Sequence, residues 1–519
     1  MVRAKTLLPP LGLLTVAALL PRDWDLRLAY LNVKKLTEED WQWAEIVMLT
    51  AMHAQQQGLE SVLQEANQRG KITVLGGPHV TLLADEERPK DCNFIFVGEV
   101  ENTIPDFLHA LKKGKDHGVF SCEEKPDISE SPVPRFDLIN LNDYATLTIQ
   151  VSRGCPYDCE FCDIAMLYGR KMRYKKPEQV TRELEVLYQL GFGGEIFISD
   201  DNFIGNKSHA RAVLTELISW SKSRGEPFGF VTQESANLGQ DFEMIDLMTS
   251  ANFSTVFVGI ESPDENVLML NRKFQNVVNP LVESINNISR NGLSVIGSVI
   301  IGFDGEERGS GERICALAQE TNIPILMVNV LMAPPKTRLW DRLEKEGRLL
   351  PQSRAFDGVW GLQNFVPDRS SEEIKEEFVA AWEYLYEPAR FLERTYQYHL
   401  MMRPTRSALA QSQGLASPDR HVRKTKAPLR RRFRDVAAFI SLVWCQGIRP
   451  SYRTQFWKQL IGILRHNRSR VVRYLVSCAY GEDMFRIAGG MRKRVMEQQK
   501  TAPRCALEAK DGDARHASP

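Results

Sequence analysis

Two patterns of apolar positions alternate along the first two thirds of this chain. Short continuous runs at Leu26 to Leu31, Ile46 to Thr50, Ile72 to Leu75 and Phe94 to Val97 read as strands, and helical-period stretches lie between them. The alternation predicts an α/β domain over residues 1–120 built on a doubly wound parallel sheet. Met52-His53, Gly76-Gly77-Pro78-His79 and Gly98-Glu99 follow three of these runs directly, at the strand ends where such sheets bind ligands. Ahead of them, Leu11 to Leu20 reads as a buried first helix.

Residues 121–143 break the pattern. Glu123, Glu124, Lys125, Pro126, Asp127, Pro132 and Pro134 crowd a stretch without periodicity, which reads as a linker. Six further strands are predicted at Thr146 to Val151, Glu195 to Ser199, Gly229 to Gln233, Thr255 to Gly259, Val295 to Ile301 and Leu326 to Leu331. The helix opening at Pro177 is typical of the segments between them, with Val180, Leu184, Leu187 and Leu190 on one face and Gly191 at its close. Repeated strand-helix units over 144–350 predict a partial (β/α)6 barrel of the TIM type. Residues 351–485 read as a mainly helical extension, with helices over Ser371 to Leu385, Val436 to Trp444 and Phe456 to Leu464; 486–519 reads as a disordered tail.

Composition narrows the class. The 519 residues are 43% hydrophobic and 25% charged, as in soluble globular proteins of several domains. Lys plus Arg and Asp plus Glu both number 66, so no global field argues for nucleic acid. Six of the nine cysteines are scattered singly, which is not a disulfide framework and points to the cytoplasm. The apolar run after Arg3 and Lys5 imitates a secretory signal, but Pro9-Pro10 interrupts it and no small-residue cleavage pattern follows.

The remaining three cysteines carry the chemistry. Cys155, Cys159 and Cys162 form a C-x-x-x-C-x-x-C run directly after the first barrel strand, which places it at the mouth of the barrel. Three soft thiolates with no fourth cysteine nearby suit an iron–sulfur cluster left with an open iron. Two other readings are a zinc site, although the next histidine is His209, and three buried thiols on a helix face, against which Gly154 and Pro156 favour a loop. Other strand ends present polar groups to the same mouth: Asp200, Asp201 and Asn202, then Glu234, Glu261 and Gly302. They either bind a polar cofactor or cap the helices that follow. Arg170 to Lys176 is a basic run, read as a solvated loop or as a clamp on a cofactor carboxylate or an electron-delivering partner.

The cysteine run, with Phe161 before its last member, resembles the signature of the radical S-adenosylmethionine superfamily. The resemblance implies a [4Fe-4S] cluster on the three cysteines, an open iron chelated by S-adenosylmethionine, and release of a 5'-deoxyadenosyl radical that abstracts hydrogen from an unactivated carbon. It further implies cofactor contacts at Phe161, Asp200, Asp201, Asn202, Glu234, Glu261 and Gly302. Residues 1–120 resemble a Rossmann-like cobalamin-binding domain, with Gly76, Gly77, His79, Gly98 and Glu99 as matching contacts. No Asp-x-His-x-x-Gly motif is present, so the implied binding lacks a histidine below cobalt. The chain begins at the first helix, where such domains carry a strand beforehand, as a truncated start would produce.

Together, these regions and the segment Asp200 to Asn206 resemble the subgroup that includes hopanoid C-methylases and bacteriochlorophyll side-chain methylases. That implies cobalamin-dependent methylation of an unactivated carbon on an apolar small molecule, with electrons from a flavodoxin or ferredoxin. A cyclase or oxidoreductase of the same build, and a non-catalytic iron–sulfur redox sensor, are the alternatives. The basic C-terminal helices either pack on the barrel or lie on a membrane surface.

Overall fold

The computed structural model describes residues 5–350, 363–414 and 429–501. Strands β1 (Ile46–Thr50), β2 (Ile72–Gly76), β3 (Phe94–Val97) and β4 (Gly118–Ser121) form a parallel sheet in sequential order. Three of the four lie where the apolar pattern predicts them. Leu26 to Leu31 does not form the fourth, because its apolar side chains join two cores instead of entering a ladder. Trp24 and Leu26 pack with Phe94 and Phe107 of this sheet domain, while Leu28 and Tyr30 pack against the core of the second domain. β4 supplies the missing strand; as a four-residue edge that alternates half-buried and exposed, it gave no clear apolar run.

The second sheet runs β5 (Leu147–Ile149), β8 (Gly194–Ile198), β9 (Phe228–Glu234), β10 (Phe253–Glu261), β11 (Ser294–Ile301) and β12 (Ile325–Val330), again sequential and parallel. A two-residue antiparallel pair, β6 (Ser152–Arg153) and β7 (Arg173–Tyr174), brackets the cysteine loop. All six predicted barrel strands are present. The helix Pro177–Gln189 buries Val180, Leu184 and Leu187 on the sheet, and Gly191 ends it at φ +79°, a conformation suited to glycine. Leu190 lies past its last turn and is exposed.

Residues 122–143 are not the loose linker that their composition predicts. Short 3₁₀ turns at Ile128–Glu130, Phe136–Leu138 and Leu141–Asp143 bury Ile128 and Phe136 completely, and Gln179 donates to the carbonyls of Ile128 and Ser131. The first residues also belong with the barrel: Thr6 bridges Tyr144 in parallel, and Leu14 enters the barrel core.

Helices Ser371–Leu385 and Pro388–Met401 cover β11 and β12. Trp382 Nε1 donates to the carbonyl of Val328, and the Tyr386 hydroxyl accepts from the Leu326 amide and donates to its carbonyl. The buried Arg394 guanidinium donates to the carbonyls of Ile323 and Leu385. Packing on the barrel therefore holds for these helices and for the inner faces of Arg453–His466 and Val471–Thr501. The last helix overturns the disordered tail over its first part. Ala488, Met491 and Val495 recur at helical spacing and are buried in the shared core, and Arg492 pairs with Glu383. Residues 351–362 of the expected helical extension and 502–519 of the expected tail lie outside the described residues.

Met491→Ala is expected to destabilise the whole barrel by about 2–5 kcal/mol, read as a lower midpoint of urea unfolding. An unchanged midpoint would show the helix end to be detached from the core.

Candidate functional site

The cysteine loop is held from both sides by protein groups. Asp200, at the end of β8, accepts from the Val151 amide at 2.7 Å and the Ser152 hydroxyl at 2.6 Å; Asp201 accepts from the Gly154 amide at 3.1 Å. Gly154 has φ +92°, and a Cβ there would lie 2.7 Å from the Gly169 carbonyl, so only glycine fits the turn into Cys155. The Cys155 amide donates to that carbonyl, and the Cys162 amide donates to the Cys159 carbonyl, closing a turn between the last two thiols. Glu160 fixes the loop from the other side, its amide donating to the Asn271 carbonyl and its carboxylate receiving Arg342 through two nitrogens.

Burial pushes the Cys155 thiol up to about 11 and Cys162 up to about 12, so both need a positive group beside them to ionise. Lys273, from the loop after β10, provides one. Burial alone would lower its pKa, but the Glu261 carboxylate at 2.8 Å, and the Cys159 and Cys162 sulfurs once ionised, raise it, so it stays charged. Gln275 Nε2 donates to Cys159 Sγ at 3.5 Å. Among the described residues no three His, Cys, Asp or Glu side chains close into a cage for a single ion. His209 lies against the Tyr174 ring, tilted by 35° at 4.5 Å, instead of completing the set. Three thiols on one loop, with a buried cation beside them, fit a cluster that is larger than one ion and lacks a fourth protein ligand.

The strand-end residues divide into two groups. Asp200 and Asp201 hold the cysteine loop, and burial first, then mutual repulsion for Asp201, raises them to about 6 and about 7. Asp200 is completely buried with both oxygens occupied, so the direct cofactor contact expected of it is replaced by a supporting role. Asn202 and Glu234 are different. Asn202 Nδ2 donates to Ser235 and Glu234 Oε2 accepts from the Ile204 amide, while Asn202 Oδ1 and Glu234 Oε1 are buried without a partner. Burial raises Glu234 well above the usual carboxylate range, and an ammonium beside its free oxygen would restore the charge. Asn237 Oδ1, Gln275 Oε1 and Asn276 Oδ1 are likewise unpartnered. Several orphaned acceptors at one mouth fit a ligand carrying an ammonium and hydroxyl donors, such as S-adenosylmethionine.

Phe161 packs edge-on against Phe303 at 5.5 Å. Gly302 is left-handed at φ +95°; its amide donates to Glu306 and its carbonyl accepts from Gln363. Burial lifts Glu306 to about 7 even with Arg369 at 3.1 Å. Sequence reasoning passed over Lys273 and Gln275, which lie in a loop with no local motif.

On the sheet domain, Gly76 and Gly77 end β2. Gly77 has φ +97°, and a Cβ there would overlap the Thr50 hydroxyl at 2.1 Å. His79 is buried with Nδ1 3.2 Å from His53 Nδ1, and burial followed by that neighbour lowers its pKa. Gly98, at φ +88°, faces open space at the end of β3. Lys336 donates to the carbonyls of Thr81 and Leu83, which ties the Pro78–Leu82 helix to the loop after β12. Glu99 does not have the role expected of it. Its carboxylate is buried and receives Arg153 at 2.7 Å and Arg173 through two nitrogens, so it joins the two domains and has no oxygen to spare for a cofactor.

The basic run is split in the same way. Arg173 goes to Glu99 and Lys175 to the buried Glu183, whereas Arg170 is exposed. Of the two readings made for it, solvation holds only for part.

Sequence profiles match in three places: a B12 binding domain over 1–108, the radical SAM superfamily over 149–318, and a domain of unknown function (DUF4070) over 337–497. An uncharacterized methyltransferase of Synechocystis sp. is 40% identical over 498 residues, covering 96% of this chain and 90% of that one. The hopanoid C-2 methylase of Rhodopseudomonas palustris is 34% identical over 459 residues, covering 87% and 82%. Among solved structures, the cobalamin-dependent S-adenosylmethionine radical enzyme OxsB with aqua-cobalamin bound shares the fold, with a TM-score of 0.52, 14% identity and coverage of 87% and 73%.

Because the folded pKa of Glu306 is raised, the folded state holds its proton between about 4.5 and about 7 while the unfolded chain releases it. Its contribution to stability is present below that window and fades as pH rises through it. Glu306→Gln should therefore unfold at a denaturant concentration that changes less between pH 4.5 and 7 than the wild type does; parallel curves would refute the assignment.

Proposed function

The chain belongs to the radical S-adenosylmethionine superfamily, in the branch that carries a B12-binding domain, and from that premise we propose that it methylates an unactivated carbon of an apolar small molecule. The observation that carries the proposal is the cysteine loop: three thiols at the mouth of a parallel barrel, beside a buried lysine, with no fourth Cys or His completing the set among the described residues. When bound, the [4Fe-4S] cluster and S-adenosylmethionine supply the 5'-deoxyadenosyl radical, and cobalamin carries the methyl group.

The protein's own part is positioning. Cys155, Cys159 and Cys162 would hold the cluster. Glu234 and Asn202, with their free buried oxygens, are assigned to the ammonium of S-adenosylmethionine, and Asp201 to holding the loop. Phe161 and Gly302 shape the pocket wall. Gly76, Gly77, His79 and Gly98, at the carboxyl ends of β2 and β3, are assigned to cobalamin. The division into a sheet domain, a barrel and a helical extension serves to lay the first over the mouth of the second, which supports closing the reaction off from water. An apolar substrate follows from the likeness to the hopanoid enzyme.

The site of action is proposed to be cytoplasmic, with electrons from an acidic flavodoxin or ferredoxin. Asp158, inside the cysteine loop, lies 2.9 Å from Arg338, 3.4 Å from Arg272 and 3.7 Å from Arg170, all roughly half exposed. Three guanidiniums around one carboxylate leave two positive charges at the loop rim, a field that attracts an acidic protein.

Anaerobically reconstituted protein given S-adenosylmethionine with a labelled methyl group should form 5'-deoxyadenosine and move label into the product. Serine at any of the three cysteines should abolish both. Deoxyadenosine without label transfer would favour a cyclase or oxidoreductase. A triple Arg170→Gln, Arg272→Gln, Arg338→Gln variant should accept electrons from flavodoxin about tenfold more slowly at low salt yet be reduced by dithionite at the wild-type rate. Equal slowing with both would place the arginines in the fold of the loop.

A further inference from the structure

From Val436 to Tyr480 the chain carries seven Lys and Arg residues and no Asp or Glu, although the whole protein is neutral. The same stretch exposes large apolar side chains. Val436, Ile440, Trp444 and Ile448 recur every four residues along the helix Leu429–Leu442 and the wide turn Val443–Ile448 that extends it, and each is more than half exposed. The next helix, Arg453–His466, buries Phe456, Leu460 and Ile463 against the rest of the protein and leaves Trp457, Ile461 and Leu464 outside. Its packing needs are met by the first set; Ile461 and Leu464 are apolar surface that the fold does not use, and Trp457 is partly exposed at its edge. Trp457 Nε1 donates to the Gly447 carbonyl at 2.8 Å, which brings the two outward stripes side by side.

We propose that this face docks on the surface of a lipid bilayer rich in anionic headgroups. Exposed indole and aliphatic side chains beside Arg449, Arg453, Lys458 and Arg465 match what such a surface offers: an apolar boundary layer just beneath negative charge. Long basic side chains reach the headgroups while their stems cover apolar surface. No helix among the described residues is long and apolar enough to cross a membrane, so the contact is made in the interfacial plane. A protein partner of matching acidity would satisfy the charges but leaves the aliphatic stripe unexplained. The inference goes beyond methyl transfer and stands without it. Combined with an apolar substrate, it places the enzyme where such a molecule dissolves.

The test uses the full chain and vesicles of phosphatidylcholine, with and without phosphatidylglycerol. The protein should sediment with the anionic vesicles, release as salt is raised, and bind the neutral ones weakly. Arg453→Glu with Lys458→Glu should weaken binding by roughly tenfold or more, and Ile440→Ser with Trp444→Ser should do so at any salt concentration. Both double variants lie on the surface, and unchanged deoxyadenosine formation would show that they fold. Failure to bind either vesicle, binding that neither variant weakens, or wild-type protein that self-associates through this face until the apolar variant makes it monomeric would each overturn the proposal. Loss of methyl transfer with vesicle binding retained would bear on the reaction alone.

Discussion

A loop that carries three thiols needs something outside it to set its start, and here that something is a pair of carboxylates on the adjacent strand. Asp200 takes the amide and hydroxyl at the end of the first barrel strand, and Asp201 takes the next free amide, that of Gly154. The chain is thereby turned at a fixed point just before Cys155. Asp200 is fully buried and Asp201 half-buried, and burial raises the pKa of both, the mark of an environment that disfavours their charge. Carboxylates tolerate that burial only because backbone donors of the loop meet them, so loop geometry and strand position determine each other.

The same economy of charge joins the domains. Glu99 ends the third strand of the sheet domain and accepts Arg153 and Arg173, which sit on the two short strands that bracket the cysteine loop. Lys336 reaches back from beyond the last barrel strand to the carbonyls around the Pro78–Leu82 helix. Two polar ties therefore fix the carboxyl ends of one sheet against the carboxyl ends of the other. Such buried pairs add little net stability but penalise misalignment strongly, which is what an active site shared between two domains requires.

Much of this was legible beforehand, and the reasons for the exceptions are physical. Six barrel strands were visible because strands covered on both faces must be apolar throughout. The C-x-x-x-C-x-x-C run was visible because its chemistry needs three like ligands at short spacing. Leu26 to Leu31 deceived because an apolar run states that a segment is buried, not that it pairs. Residues 122–143 deceived in the opposite sense: their composition is polar, yet Ile128 and Phe136 are anchors enough to hold them. Glu99 was given to a cofactor because its true partners, Arg153 and Arg173, lie 54 and 74 residues away, and Lys273 was passed over because it lies in a segment without a motif. The unpartnered oxygens of Asn202 and Glu234 are a property of three-dimensional accounting alone.

The path of the first thirty residues has one more consequence. Lys5 and Thr6 lie beside Asp143 and Tyr144, Leu14 enters the barrel core, Leu20 to Leu26 cross to the other core, and Leu28 and Tyr30 return before the first strand begins. Topologically the sheet domain is thus an insertion stitched down at both of its ends, not a bead on a single thread. The seam therefore runs along two edges of the sheet domain, and separating it from the barrel would require breaking both.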